Sequence, residues 1–203
     1  MIRDPETLNA LLDTVNRFVR ERLVPAEAHV AETDEIPEDI VQEMKDMGLF
    51  GLTVPESYGG LELTMEEEVM VMLAMGQTSP CFRSLFGTTV GIGSMGIVMD
   101  GTPEQQAHWL PRIASGQALV VLAHQERKAR YRSDLCDTVA TPAGGGWTLS
   151  GTKHVVSAGD QVDALLLVGF WGVGDAEVAG HRRGRRRGPG ADPGPARRRH
   201  RGR

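Results

Sequence analysis

The chain has 203 residues, 40% hydrophobic and 24% charged, with a formal net charge of −5. That length allows one large or two small domains with real cores, and the composition is that of a soluble globular protein. No apolar run approaches the roughly 20 residues of a membrane helix, the opening MIRDPETLNALLD has no apolar signal core, and Cys81 and Cys136 are too few for a disulfide framework and lack metal-ligand spacing. A cytoplasmic protein with no membrane partner and no metal is expected. The charge is split. Residues 175–203 hold ten Arg against Asp175, Glu177 and Asp192, or +7, so the remainder carries −12. An acidic body with a basic tail behaves as two objects.

Asp4 and Pro5 open the first helix as cap and first position. Leu8, Leu11, Leu12, Val15, Phe18, Val19 and Leu23 recur at helical spacing, and Pro25 should end or kink the helix. Pro37 starts a second helix with Ile40, Val41, Met44 and Met47 on its apolar face and Gly48 as its stop. Leu49 to Val54 reads as an extended apolar run, closed by turns at Pro55 and Gly59–Gly60. Thr64 and Glu67 form a capping box, ahead of a helix expected to turn Val69, Met72 and Leu73 inward. Glu66, Glu67 and Glu68 suit the positive end of that helix and read as a solvated face, not a metal site. Ser79 and Pro80 start the next helix, with Phe82, Leu85, Phe86 and Val90 buried. Its second half, GTTVGIGSMGIVMDG, is rich in Gly although each Gly costs about 1 kcal/mol relative to Ala in a helix. Close approach of something is implied: a long thin apolar ligand, or another helix.

Gly101 to Gly116, GTPEQQAHWLPRIASG, is the pivot. Thr102 and Gln105 form a capping box, Pro103 sits at the first helical position, Trp109, Leu110 and Ile113 make an apolar face, and Gly116 supplies a left-handed stop. Beyond it the periodicity becomes β-like. Ala118–Ala123, Thr138–Thr141, a hairpin announced by Gly144–Gly145–Gly146 with Trp147 and Leu149, Lys153–Ser157 and Ala164–Phe170 read as short strands. The expected fold class is α+β: an all-α helical N-terminal domain (1–117), then an antiparallel β domain (118–171), then a disordered Arg/Gly/Pro-rich tail (172–203).

The strings GTPEQ, LPRIASG and PESYGG, with the retained GTK at Gly151–Lys153, resemble the acyl-CoA dehydrogenase family of flavoproteins. The resemblance covers roughly Asp4 to Val168. It implies FAD as cofactor, an acyl-CoA thioester as substrate for α,β-dehydrogenation, an electron-transfer flavoprotein or similar acceptor as partner, and a homo- or hetero-oligomer. In the family the Gly-rich helix borders the acyl-chain pocket, which points to Thr88, Thr89 and Gly91. The family's flavin loop, A-x-TEP-x-AGSD, is represented here by LAHQERKARYRSD. Glu126 matches the family Glu, Gln125 stands at the Thr, Arg127 at the Pro, and Ser133–Asp134 close a loop about two residues longer. Where the family has W-I-T, this chain has Val155, Val156 and Ser157. The resemblance thus assigns Leu122, His124, Gln125, Ser133, Val155 and Ser157 to the cofactor, and Thr88, Thr89, Gly91, Arg127 and Ser133 to the substrate. Fixed dipoles along the ring edge would tune its potential. Arg127, Lys128, Arg130 and Arg132 could hold a CoA phosphate by charge-assisted bonds. His124 and His154 have no acid–base partner in the text.

After Val178 no Leu, Ile, Val, Met or aromatic residue occurs. Such a segment cannot build a core, and its composition is also that of GC-rich DNA read out of frame. The family's base is a carboxylate, usually Glu, in a C-terminal helical domain that this sequence is not expected to reach, so no catalytic residue is assigned and inactivity of the chain alone is expected. Two alternatives stand beside the dehydrogenase: a non-catalytic flavin- or acyl-CoA-binding subunit completed by a partner chain, and a nucleic-acid-associated protein using its Arg tail. The tail lacks the interleaved aromatics of a base-stacking site, which ranks nucleic acid last.

Overall fold

The computed structural model describes residues 4–130, 132, 135–159, 162–171 and 178–183. The first helix, α1 (Pro5–Phe18), is capped by the Asp4 carboxylate, which accepts from the backbone N–H groups of Glu6 at 3.1 Å and Thr7 at 3.2 Å. It does not stop at Pro25. A π-helical segment, Val19–Leu23, precedes the proline, and α2 (Val24–Thr33) continues to a left-handed cap at Asp34, φ 58°. Pro25 therefore sits in the first turn of a restarted helix, where its missing N–H is tolerated. Next comes α3 (Glu38–Asp46).

Leu49 to Val54 is not extended. Leu49–Gly51 is a 3-10 turn, and Leu49, Phe50, Leu52 and Val54 are all buried to 1% exposure or less. A run apolar on every side suits a buried turn as well as a buried strand, and periodicity does not separate the two. The helix α4 (Met65–Met75) has the expected capping box, the Thr64 N–H donating to Glu67 Oε2 at 2.7 Å. Its orientation differs from the expected one. Val71, Ala74 and Met75 are buried and Met72 packs beside them, while Val69 and Leu73 are exposed. The stretch VMVMLAM is apolar all round, so docking against α1 selects the face.

The Gly-rich stretch forms one continuous helix of three parts: α5 (Pro80–Thr88), a π-helical segment Thr89–Ser94, and α6 (Met95–Asp100). By length and composition alone these 21 residues could cross a membrane. Here they run through the domain core, with Phe82, Phe86 and Val90 fully buried. One core gathers α1, α3, α4 and α5 around Phe18, Leu23, Met44, Phe50, Met75 and Phe86. A second joins Val54, Ile97 and the pivot helix α7 (Pro103–Ala114), through Trp109, Leu110 and Ile113, to the first strand.

The sheet contains β1 (Val120–Ala123), β2 (Val139–Ala143), β3 (Gly146–Ser150), β4 (Ala164–Trp171) and β5 (Val178–Arg183). The hairpin β2–β3 is antiparallel, as expected. The pairings across the chain are not: β1 runs parallel to β4 from Val120↔Ala164 to Ala123↔Leu167, and β2 is parallel to the last two residues of β4. The sheet is therefore mixed. Long connections permit parallel pairing, which two-residue turns forbid. Two expectations need correction. Lys153–Ser157 is not a strand but a loop and turn. Val178–Arg183, within the segment read as disordered, pairs antiparallel with β4 across a bulge near Leu167 and Gly169. Ladder bonds come from the backbone, so a strand added there needs no apolar side chains of its own. The rest of the tail lies outside the described residues.

Candidate functional site

The junction of the two regions explains part of the glycine richness. A Cβ built on Gly93 would lie 1.9 Å from the Val120 carbonyl oxygen, so this helix residue must be glycine for β1 to dock. Beside it Thr89 is 1% exposed, and its hydroxyl accepts from the Val120 N–H at 3.3 Å. Thr89 therefore pins strand to helix and is not part of the lining of the neighbouring cleft. Thr88 lies on the other side of the helix. It lines a cleft of about 290 Å³ with Glu68, Met72, Arg83, Ser84, Gly87 and Ile92. Gly91 opens toward the same cleft, its Cβ position 3.6 Å from Glu68 Oε1. Partial burial pushes the Glu68 carboxyl above its ordinary value. The small-residue pattern thus divides between strand docking at Gly93 and the cleft beside Thr88 and Gly91.

A larger cleft, about 410 Å³, opens where the chain leaves β1. Its walls are Gln125, Glu126, Arg127, Arg130, His154 and Val155. Two segments far apart in sequence meet here, joined by the His154 N–H donating to the Gln125 carbonyl at 2.8 Å. Of the residues assigned to the cofactor, Gln125 and Val155 line this cleft, as does Arg127, assigned to the substrate. His124 lies just behind, its carbonyl accepting from Lys153 Nζ at 3.3 Å. Leu122 packs instead against the second core, and Ser157 is exposed in the following turn, outside the lining. Ser133 lies outside the described residues. Val155 is 87% exposed and has φ 51°, a region that β-branched residues rarely occupy. Strain of this kind costs about 1–3 kcal/mol and collects at ligand sites.

Below the cleft is a polar clamp. The Glu126 side chain is 6% exposed and that of Lys153 is 7% exposed, with Nζ donating to Oε1 at 2.8 Å. The carboxylate also accepts from the Thr138 N–H at 3.0 Å, the Asp137 N–H, the Thr138 hydroxyl and the Cys136 thiol. Burial pushes the Glu126 pKa up, but the hydrogen bonds from Lys153, Thr138, Asp137 and Cys136 outweigh it and hold the carboxyl well below the usual range. Glu126 is thus an ionised anchor, not a proton acceptor. With that charge neutralised by Lys153, Arg127 and Arg130 leave the cleft cationic; neither makes an ion pair among the described residues. Lys128 pairs with Asp137 at 3.4 Å, both largely exposed. In the sequence, Glu126 and GTK were visible as separate matches. That they are partners, with Cys136 and Thr138 beside them, carries no short-range signal.

Comparison with known proteins finds the same architecture in solved structures. The chain superposes on glutaryl-CoA dehydrogenase of Mycobacterium smegmatis, solved in complex with FADH2, with a TM-score of 0.76 at 24% identity, covering 83% of this chain and 43% of that one. A chain from the structure of the electron transferring flavoprotein of Acidaminococcus fermentans gives the same TM-score at 21% identity, covering 84% and 45%. The N-terminal domain of the acyl-CoA dehydrogenases matches residues 5–117, more than half the chain, and the protein belongs to the acyl-CoA dehydrogenase family. Two curated relatives are each 32% identical to it. The mitochondrial very long-chain specific acyl-CoA dehydrogenase of Rattus norvegicus aligns over 83% of this chain and 26% of its own length. The (2S)-methylsuccinyl-CoA dehydrogenase of Cereibacter sphaeroides aligns over 80% and 30%. The chain thus spans about a quarter to a third of these relatives.

Proposed function

We propose that this chain carries the helical and middle-sheet part of an FAD-dependent acyl-CoA dehydrogenase acting on an acyl-CoA thioester, with an electron-transfer flavoprotein or similar acceptor as redox partner and assembly into an oligomer. The observation that carries this reading is the meeting of the post-β1 loop and the GTK loop in one cationic cleft. Its volume falls within the range of small-molecule sites, about 300–1,000 Å³. It fits a flavin ring: Gln125 offers a polar side chain to a heteroatom edge, Val155 an apolar surface to a ring face, and Arg127 and Arg130 positive charge for an anion. When bound, FAD would supply the acceptor for the hydride leaving the substrate β-carbon. The groove beside Thr88 and Gly91 would take the acyl group, and Glu68 makes its wall partly polar. Glu126 is held ionised by Lys153 and is not assigned as the base for the α-proton, nor is any other described residue.

The test is reconstitution of the whole chain with FAD, followed by anaerobic addition of acyl-CoA thioesters of different chain length. Retained flavin that bleaches with one thioester supports the dehydrogenase. Retained flavin without bleaching moves the reading to a non-catalytic binding subunit. A folded chain that retains no flavin overturns the cofactor assignment.

A further inference from the structure

A thiol and a primary amine lie side by side beneath the cleft. Cys136 Sγ is 3.2 Å from Lys153 Nζ and 3.2 Å from Glu126 Oε1. Lys153 cannot swing away without leaving the buried Glu126 carboxylate unpaired. Cys136 is half-buried, and the amine beside its sulfur is held in place. Cys81 is equally half-buried, but its thiol faces the Ser79 hydroxyl at 3.2 Å.

We propose that Cys136 and Lys153 are a modification site: hydrogen peroxide converts them to a reversible N–O–S bridge, Cys–S–O–NH–Lys. In the first step the thiol takes one oxygen from a peroxide molecule, giving sulfenic acid and water; sulfur is oxidised and peroxide reduced. The Lys153 ammonium then releases a proton to solvent, while Glu126 stays ionised. The sulfenic O–H and one amine N–H bond break, an N–O bond forms, and a second peroxide takes the electron pair and leaves as two waters. In total one thiol, one amine and two peroxides give the bridge and three waters. Two equivalents of a dithiol reverse it, returning thiol, amine and one water. The 3.2 Å separation favours an intervening oxygen. A direct S–N bond would pull Nζ off both Glu126 and the His124 carbonyl. Closing the bridge removes the charge that neutralises Glu126 and ties the GTK loop to the segment before β2, directly under the cleft. It does not depend on flavin binding.

The whole chain, titrated with peroxide, quenched with catalase and alkylated, is read by intact mass and peptide mapping. The expected result is a gain of one oxygen less two hydrogens, loss of one alkylatable thiol, and a linked peptide pair containing Cys136 and Lys153 that disappears with dithiothreitol. Lys153→Arg, which keeps a cation beside Glu126, should lose the link and let Cys136 run on to sulfinic acid. A folded wild-type chain in which Cys136 reaches sulfinic acid or an intermolecular disulfide, with Lys153 unmodified, would overturn the proposal whatever the variant does.

Discussion

The helical region and the sheet region are held together by different physics. In the helical region fully buried side chains from five segments interlock: Val15 and Leu23 near the start, Met44, Phe50, Met75, and Phe82 with Phe86. In the sheet region comparable burial is concentrated on β1, where Val120, Val121 and Ala123 are 2% exposed or less, and on the start of β4. Every residue of β3 is exposed, including Trp147 and Leu149 at 42% and 40%. What fixes the cleft is the Glu126–Lys153 clamp with its ring of donors. Apolar packing is non-directional and tolerant of exchange; a buried polar clamp is directional and fails as a unit. The region with the deep core is therefore the scaffold, and the polar one sets the geometry of the site.

The difference predicts unequal responses. Phe86→Ala, which empties a fully buried position 5.9 Å from the Phe50 ring centroid, should cost about 4 kcal/mol. Chemical denaturation followed by helical circular dichroism measures it; a loss below about 1 kcal/mol would show that the helical core is not as close-packed as described. Lys153→Met should cost about 3 kcal/mol by leaving Glu126 charged and unpaired, and adding Glu126→Gln should recover part of that loss. Amide exchange in β1 should rise while exchange in α5 stays protected; equal rises would mean the two regions are one cooperative unit.

The same clamp gives a pH signature. The folded-state pKa of Glu126 is depressed, so its contribution is complete above the unfolded carboxylate value of about 4.3 and is lost as pH falls toward the lower folded value. β1 should loosen before α5 in an acid titration, and Glu126→Gln should flatten that slope. Val155→Asn, which keeps the left-handed backbone with a residue that tolerates it, should gain about 1 kcal/mol in thermal unfolding. Thr102→Ala removes the hydroxyl that accepts from the Gln105 N–H at 3.3 Å and should cost about 1 kcal/mol or less, confined to the α7 start.

Local signals survived intact wherever the physics is local. The Asp4, Thr64 and Thr102 caps, the left-handed Gly48 and Gly116, and the glycine-rich β2–β3 turn are all where short-range chemistry put them. Capping satisfies orphan amides within one turn, so three or four residues carry the whole message. Face selection did not survive. Val69 and Leu73 are exposed because α4 is apolar on all sides and α1 decides which side is covered. Leu49 to Val54 became a turn for the same reason.

Of the candidate site, Gln125, Arg127 and Val155, read from their position relative to β1 and GTK, meet around one cleft. The Thr89 hydroxyl bonds the strand and not the cleft beside Thr88, a difference that text alone does not carry. Cap chemistry and family were determined by the sequence itself, since each depends on neighbours or on long matched strings. Only the tertiary structure decided the parallel pairing of β1 with β4, the glycine demanded of residue 93 and the Glu126–Lys153–Cys136 cluster. These arise between segments far apart in the chain, whose approach no local pattern encodes.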